Sequence, residues 1–281
     1  MRRLLGAIVA GVLVAAALRI APDIAAGGLL YPRRRTAIAA MPANCADQDF
    51  QGDGVTLRGW TCRAQGQRRG AIVYLHGIAD NRSSAAGAIE RFTTNGFDVI
   101  AYDSRRHGAS DGDVCTYGFY EKGDLRRVID TLEAQPVVLV GTSLGAAVAL
   151  QEAAGDDRVR AVVAAEAFSD LRTVASERAP WFLPAATVRR AFRVAEQRAR
   201  FSVDAVSPAT AARSIRVPVL LIHGAEDRET PPAHSQRIHD ALAGRKRLIL
   251  VPGAGHNQSL SGPAQWSEIE RWVDTALANR S

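Results

Sequence analysis

Three short apolar runs, IVYL at 72–75, VVLV at 137–140 and VLLI at 219–222, restrict what this 281-residue chain can become. A strand with one wet face alternates apolar and polar residues. A run with no polar position is buried on both faces, as in the interior of a parallel sheet. Seven segments read as strands: Val55–Cys62, Ala71–His76, Asp98–Tyr102, Val137–Gly141, Arg160–Ala164, Val219–His223 and Arg247–Val251. Between them lie segments of helical period: Glu121–Ala134, Ser143–Ala154, Ala233–Ala243 and Pro263–Ala278, the last with Trp266, Ile269, Trp272, Val273 and Leu277 on one stripe. The alternation predicts an α/β architecture, a mostly parallel twisted sheet flanked by helices. A chain this long buries such a core without metal or disulfide staples.

The net charge of +6 suggests nucleic acid, but residues 1–35 alone carry six arginines against Asp23, which leaves +1 for the remainder. No nucleic-acid-binding pattern appears elsewhere. Arg2 and Arg3 precede an uncharged apolar run, Leu4 to Leu18, and apolar character resumes after Arg19 through Leu30. Residues 1–35 therefore read as a membrane anchor or signal segment, meeting anionic headgroups through its arginines. The expectation is a membrane-anchored protein with its main domain, 36–281, on the extracytoplasmic side. Secretion after signal cleavage and a buried N-terminal helix are the alternatives. Cys45 and Cys62 flank a hairpin turning at Gly52-Asp53-Gly54, so an exported domain can join them in a disulfide. Cys115 reads as a packed small side chain, and no cysteine or histidine cluster suggests zinc.

One stretch interrupts the alternation. More than 50 residues separate the strands at 160–164 and 219–223, and they include the apolar Trp181, Phe182, Leu183, Val188, Phe192 and Val194. A long insertion of this kind, about 172–206, reads as a lid over a pocket, or else as an extra helical pair packed on the body.

The chemistry centres on Gly141-Thr142-Ser143-Leu144-Gly145, with a strand before it and a helix after it. The bare G-x-S-x-G pattern arises by chance; its context gives it meaning. A sharp strand-to-helix turn holds the serine in a strained conformation, and its glycines avoid collision with neighbouring backbone. The hydroxyl then stands above the carboxyl edge of the sheet, at a helix N-terminus that favours negative charge. A serine needs a base and the base an orienting acid. Asp227 follows the strand 219–223 and His256 the strand 247–251, in the chain order Ser143, Asp227, His256. Glu226 and, more remotely, Asp170 compete for the acid role. Oxyanion donors would be the backbone N–H groups of Ile78, in His76-Gly77-Ile78, and of Leu144. Gly77 lets the backbone turn toward the elbow, and His76 reads as structural.

His76-Gly77, YDSRRHGASDG at 102–112, GTSLG at 141–145, HGAED at 223–227 and GAGH at 253–256 together resemble the α/β-hydrolase superfamily. The resemblance is closest to the serine-hydrolase branch that includes serine aminopeptidase-like and membrane-anchored members. That branch pairs a membrane segment with a tyrosine-proline pair and a DG-x-x-L-x-x-W hairpin, here Tyr31-Pro32 and Asp53 to Trp60. One departure is Arg106, where the family's loop carries glycine; in that loop Asp103 and His107 hold a turn. The resemblance implies an α/β-hydrolase fold with a short helical lid and a serine hydrolase with no cofactor and no metal. Its substrate is expected to be a small acyl ester or thioester. A peptidase of the serine aminopeptidase type and a non-catalytic binding protein of the same fold are the alternatives.

Overall fold

The computed structural model describes residues 19–36, 39–133 and 135–278. An eight-stranded sheet forms the centre: β1 (Cys45–Gln51), β2 (Thr56–Cys62), β3 (Gly70–Leu75), β4 (Phe97–Tyr102), β5 (Val137–Thr142), β6 (Val159–Ala165), β7 (Val219–Gly224) and β8 (Lys246–Val251). Their spatial order is β1-β2-β4-β3-β5-β6-β7-β8. β2 runs antiparallel to both neighbours, and every pairing from β4 to β8 is parallel. The sheet is therefore mostly parallel, as the uninterrupted apolar runs require.

β3 shows why those runs carry no polar position. Val73 and Leu75 enter one core while Ile72 and Tyr74 enter the other, and every residue of the strand is buried. The first core is covered by α1 (residues 19–30), α3 (Glu121–Asp130), α4 (Leu144–Ala153), α5 (Leu171–Glu177), α6 (Ala185–Ala199), α7 (Pro208–Ala212) and α8 (Ala233–Ala241). The second is covered by α2 (Ala86–Thr94) and α9 (Pro263–Ala278). All ten residues of α4 are buried, and Ala146, Ala147 and Ala149 let it lie close to the sheet.

Sequence reading passed over α2. Its stripe Ala88, Ile89, Phe92 and Thr93 has helical spacing, but it follows the loop-like NRSSAAGA. β1 and β2 form the expected hairpin, with Cys45 opposite Cys62 and a disulfide between them. Cys115 is a buried free thiol whose pKa burial pushes well up, consistent with a packing role.

The N-terminal expectation divides in two. The run 4–18 lies outside the described residues. Residues 19–30, which the sequence reading counted toward the anchor, form a helix docked on the body: Pro22, Ala26 and Leu30 are buried at a spacing of four. The Leu30 carbonyl accepts from the Cys115 N–H, and the Leu29 carbonyl from the Tyr117 hydroxyl. No helix among the described residues is long and apolar enough to cross a membrane.

The insertion contributes α5 and α6. α6 buries Thr187, Ala191, Phe192, Ala195 and Ala199 against the body, and the Tyr120 hydroxyl donates to the carbonyls of Ala199 and Arg200. A cavity of about 420 Å³ lies within the insertion, lined by residues of 172–192 such as Leu183, Val188 and Phe192. None of the residues 143, 227 or 256 lines it.

Candidate active site

Every candidate residue lies just past the carboxyl end of a strand, where a parallel sheet gathers its loops. Ile78 follows β3, Ser143 follows β5, Asp227 follows β7 and His256 follows β8. Ser143 takes φ 49° and ψ −111°, a positive-φ conformation outside the allowed regions that a non-glycine residue adopts only under constraint. The constraint is the crossing of backbone at the turn. A Cβ on Gly141 would meet the Gly145 carbonyl oxygen at 2.5 Å, and a Cβ on Gly145 would meet the Leu75 carbonyl oxygen at 2.1 Å. Both contacts are impossible, so the two glycines are fixed by space, as the motif implied.

Ser143 Oγ lies 3.1 Å from His256 Nε2, and His256 Nδ1 lies 2.7 Å from Asp227 Oδ2. The second contact fixes the proton on Nδ1 and leaves the Nε2 lone pair facing the hydroxyl. Asp227 is buried, which alone would raise its pKa. Hydrogen bonds from His223, His256 and the Thr230 N–H outweigh that and hold the carboxyl well below the usual range. It also accepts from the Glu229 N–H at 2.9 Å, while His223 Nε2 approaches it at 3.2 Å. Asp227 is thus the acid that meets His256. Glu226 is exposed and has no contact with it, and Asp170 instead accepts from Ser207 Oγ at 2.6 Å.

The backbone N–H groups of Ile78 and Leu144 donate to no acceptor in the protein, among the described residues. The loop turns at Ala79, with φ 57°, and a Cβ on Gly77 would lie an ordinary 3.6 Å from Ser143 Cβ. Gly77 thus lies against the serine turn, and its carbonyl accepts from the Asp80 N–H across the bend at Ala79. His76 is structural as expected: its Nδ1–H donates to the Gly77 carbonyl and its Nε2 accepts from the Ser104 N–H.

The Asp103–His107 loop holds its turn. Asp103 accepts from the N–H groups of Arg82 and Ala109 and pairs with the Arg82 guanidinium. His107 donates from Nδ1 to the Arg105 carbonyl, and burial pushes its pKa down to about 3. Arg106 adopts φ 67°, the left-handed conformation glycine would take there, with its guanidinium 5.9 Å from the Tyr31 ring centre.

The sequence reading missed Glu166. This residue follows β6, is 1% exposed and has φ 57°. Its carboxylate accepts from three consecutive N–H groups, those of Asn257, Gln258 and Ser259, and so holds the loop that carries His256. The signal was available: an acid directly after the apolar strand RAVVAA, at the same carboxyl edge of the sheet where Asp227 stands three residues past its own strand. Asp170, the acid named above as a remote competitor, lies four residues beyond it.

A second serine–histidine–carboxylate chain exists but is closed. Ser169 Oγ lies 2.8 Å from His234 Nδ1, and His234 Nε2 lies 2.8 Å from Glu177. Ser169 and His234 are fully buried, so this chain fastens α5 to α8 and offers no surface for a substrate. Arg178 at the end of α5 donates to the Glu229 carbonyl and Thr230 Oγ1, tying the insertion to the Asp227 loop.

Among the described residues one group has metal-ligand character: donor atoms of Glu166, Asp227 and His256 lie within 4.8 Å of one another. Their lone pairs are engaged, by three N–H groups on Glu166 and by His256 and two N–H groups on Asp227. A cavity of about 440 Å³ adjoins the site, lined by Gly77, Ile78, Thr142, Asn257, Tyr74 and Trp266 among others. The whole arrangement is a hydroxyl facing a base whose far nitrogen is held by an ionised carboxylate, with two free N–H donors beside it. Such a set can generate an alkoxide-like nucleophile and stabilise an oxyanion.

The comparisons agree with this architecture. Residues 72–269 match the model of the alpha/beta hydrolase family. The chain is 30% identical to Bacillus subtilis YqkD over 67% of its own length and 65% of that protein's, just under two thirds of the relative. It is 29% identical to Mycobacterium tuberculosis Rv2307c over 80% of this chain and 78% of that one. Among solved structures, the Pyrococcus furiosus esterase Pf2001 superposes with TM-score 0.72 at 20% identity, covering 87% of this chain and 99% of the esterase. The Pyrococcus horikoshii acylaminoacyl peptidase superposes with TM-score 0.66 at 14% identity, over 84% of this chain and 42% of the peptidase. Sequence match, strand order and the strained serine turn converge: this chain belongs to the alpha/beta hydrolase family.

Proposed function

We propose that the protein is a serine hydrolase that cleaves a carboxylic ester or thioester through an acyl-enzyme. The observation that carries this reading is the continuous chain Ser143 Oγ, His256 and Asp227, with contacts of 3.1 and 2.7 Å, beside two unengaged N–H donors. His256 takes the Ser143 proton as the oxygen attacks the substrate carbonyl. Asp227 keeps the imidazole in the required tautomer and balances its charge. The oxyanion is received by the N–H groups of Ile78 and Leu144. The leaving group takes the proton from His256, and water activated by the same imidazole then releases the acid. A fluorophosphonate probe is expected to label Ser143, and Ser143→Ala or His256→Ala to abolish labelling. Labelling that persists in both variants sinks the assignment.

A peptidase reading has one observation in its favour. Asp80 lines the cavity beside Ile78, where a carboxylate could meet a substrate amine. Asp80 is engaged with Arg35 at 3.5 Å, which favours the ester reading. A panel of p-nitrophenyl esters against aminoacyl p-nitroanilides separates the two. We place the enzyme within the membrane-anchored, serine aminopeptidase-like branch, its apolar run 4–18 at the membrane and its 36–281 domain outside the cytoplasm. The apolar run 4–18 and the Cys45–Cys62 bridge support this placement. Deletion of residues 1–18 is expected to release the protein from carbonate-washed membranes.

A further inference from the structure

The near-neutral charge of residues 36–281 hides a division. Residues 171–200 carry seven arginines against Glu177 and Glu196, a net +5, so the rest of that region is net −4. The positive pole is the insertion. α6 buries its stripe of small and apolar residues and exposes Arg189, Arg190 and Arg193. No ion pair engages these three arginines among the described residues.

At the head of the same helix stand Trp181 and Phe182, 95% and 68% exposed, their rings 5.9 Å apart. Two adjacent aromatic rings held in water are costly for a soluble surface. Indole beside a cationic helix face suits the boundary between headgroups and acyl chains. At its other end α6 meets α1 through the Arg198–Asp23 ion pair, and α1 exposes Ile20 and Ile24. α1 follows directly on the apolar run 4–18, which directs the choice of partner toward lipid over an acidic protein.

We propose that the insertion docks on an anionic lipid surface, with Trp181 and Phe182 entering the interfacial layer and the α6 arginines meeting the headgroups. This reading does not depend on the hydrolase assignment, since neither ring touches Ser143, His256 or Asp227. It is also separate from anchoring through residues 4–18, because it concerns a different surface.

The test uses the full chain and the tryptophan emission. Trp60 and Trp272 are buried, whereas Trp181 is nearly fully exposed. Full-length protein is mixed with phosphatidylcholine vesicles, with or without phosphatidylglycerol, whose acyl chains carry bromine as a quencher. The expected result is blue-shifted, quenched emission on the anionic vesicles, lost in Trp181→Ala and reversed by salt. Replacing three arginines (Arg189→Gln, Arg190→Gln, Arg193→Gln) should abolish the phosphatidylglycerol-dependent quenching of Trp181 even on bound protein, since about fivefold per basic residue near an anionic surface makes about a hundredfold for three. Sedimentation shows whether the protein is on the vesicles at all. Unquenched Trp181 on bound protein overturns the proposal, as does failure to bind anionic vesicles. Equal quenching without phosphatidylglycerol, or quenching that survives Trp181→Ala, overturns it as well.

Discussion

Replacing Glu166 with glutamine changes one oxygen for an NH2 group and should disable the loop that carries His256. The carboxylate now receives three backbone N–H groups, from Asn257, Gln258 and Ser259, in a site 1% exposed to solvent. An amide presents one acceptor oxygen. Its NH2 group must then face at least one backbone N–H, donor against donor. Hydrogen bonds to a charged group contribute about 1.5–3 kcal/mol each, and a buried donor left unpaired costs about 1–3 kcal/mol. One to two bonds lost amounts to roughly 2–6 kcal/mol. The residue also loses the contacts that hold it at φ 57°, a conformation costing about 1–3 kcal/mol for a non-glycine residue. The loop between β8 and α9 should relax, and His256 with it. We expect the rate of fluorophosphonate labelling and kcat to fall at least tenfold, about 1.4 kcal/mol. The melting temperature should fall by roughly 5–10 °C. Assays run well below that melting point separate a displaced histidine from an unfolded chain. Wild-type labelling rate and melting temperature together in Glu166→Gln would refute the reasoning.

The two glycine environments predict opposite outcomes. Gly145→Ala puts a methyl 2.1 Å from the Leu75 carbonyl oxygen and should fail to give soluble protein, whereas Gly77→Ala, 3.6 Å from Ser143 Cβ, should fold normally and lose activity by crowding the serine; expression and activity assays check both. His107 is neutral in the fold, its pKa pushed down by burial from 6.5 to about 3. The folded chain then binds fewer protons than the unfolded one, so the contribution is full above pH 6.5 and is lost as pH falls toward 3. Urea titrations should show a loss of about 1.4 kcal/mol per pH unit in that window, reduced in His107→Gln; an unchanged slope in the variant contradicts the assignment. The Cys45–Cys62 bridge closes a loop with a sequence separation of 17. Its reduction should cost about 3 kcal/mol and lower the melting temperature by roughly 5 °C. Reducing agent that leaves the transition in place counts against the bridge.

Much of the site was legible because parallel sheets impose a simple geometry. Chemistry collects at carboxyl ends of strands, and Ser143, Asp227 and His256 each follow an apolar run that is visible in the sequence. The choice of Asp227 over Glu226 was legible from spacing alone. Glu166 was not chosen, because its partners are backbone N–H groups more than 90 residues away in the chain. Main-chain donors have no signature in sequence.

The N-terminal stretch shows the same limit from the other side. Hydropathy grouped residues 20–30 with the run before them, but the fold uses Pro22, Ala26 and Leu30 to seal its own core. The spacing of four was present in the sequence, masked by a generally apolar composition. The insertion was recognised by its length and apolar residues. Which of them turn inward, and that Trp181 and three arginines are left outward, depended on what α6 packs against. Periodicity determined the sheet and, with the glycine spacing, the strand-to-helix turn at Ser143, because local pattern and burial are coupled along a strand or helix. Tertiary structure decided Glu166, the docking of α1 and the outward face of α6, because each arises from groups that meet only after the chain has closed on itself.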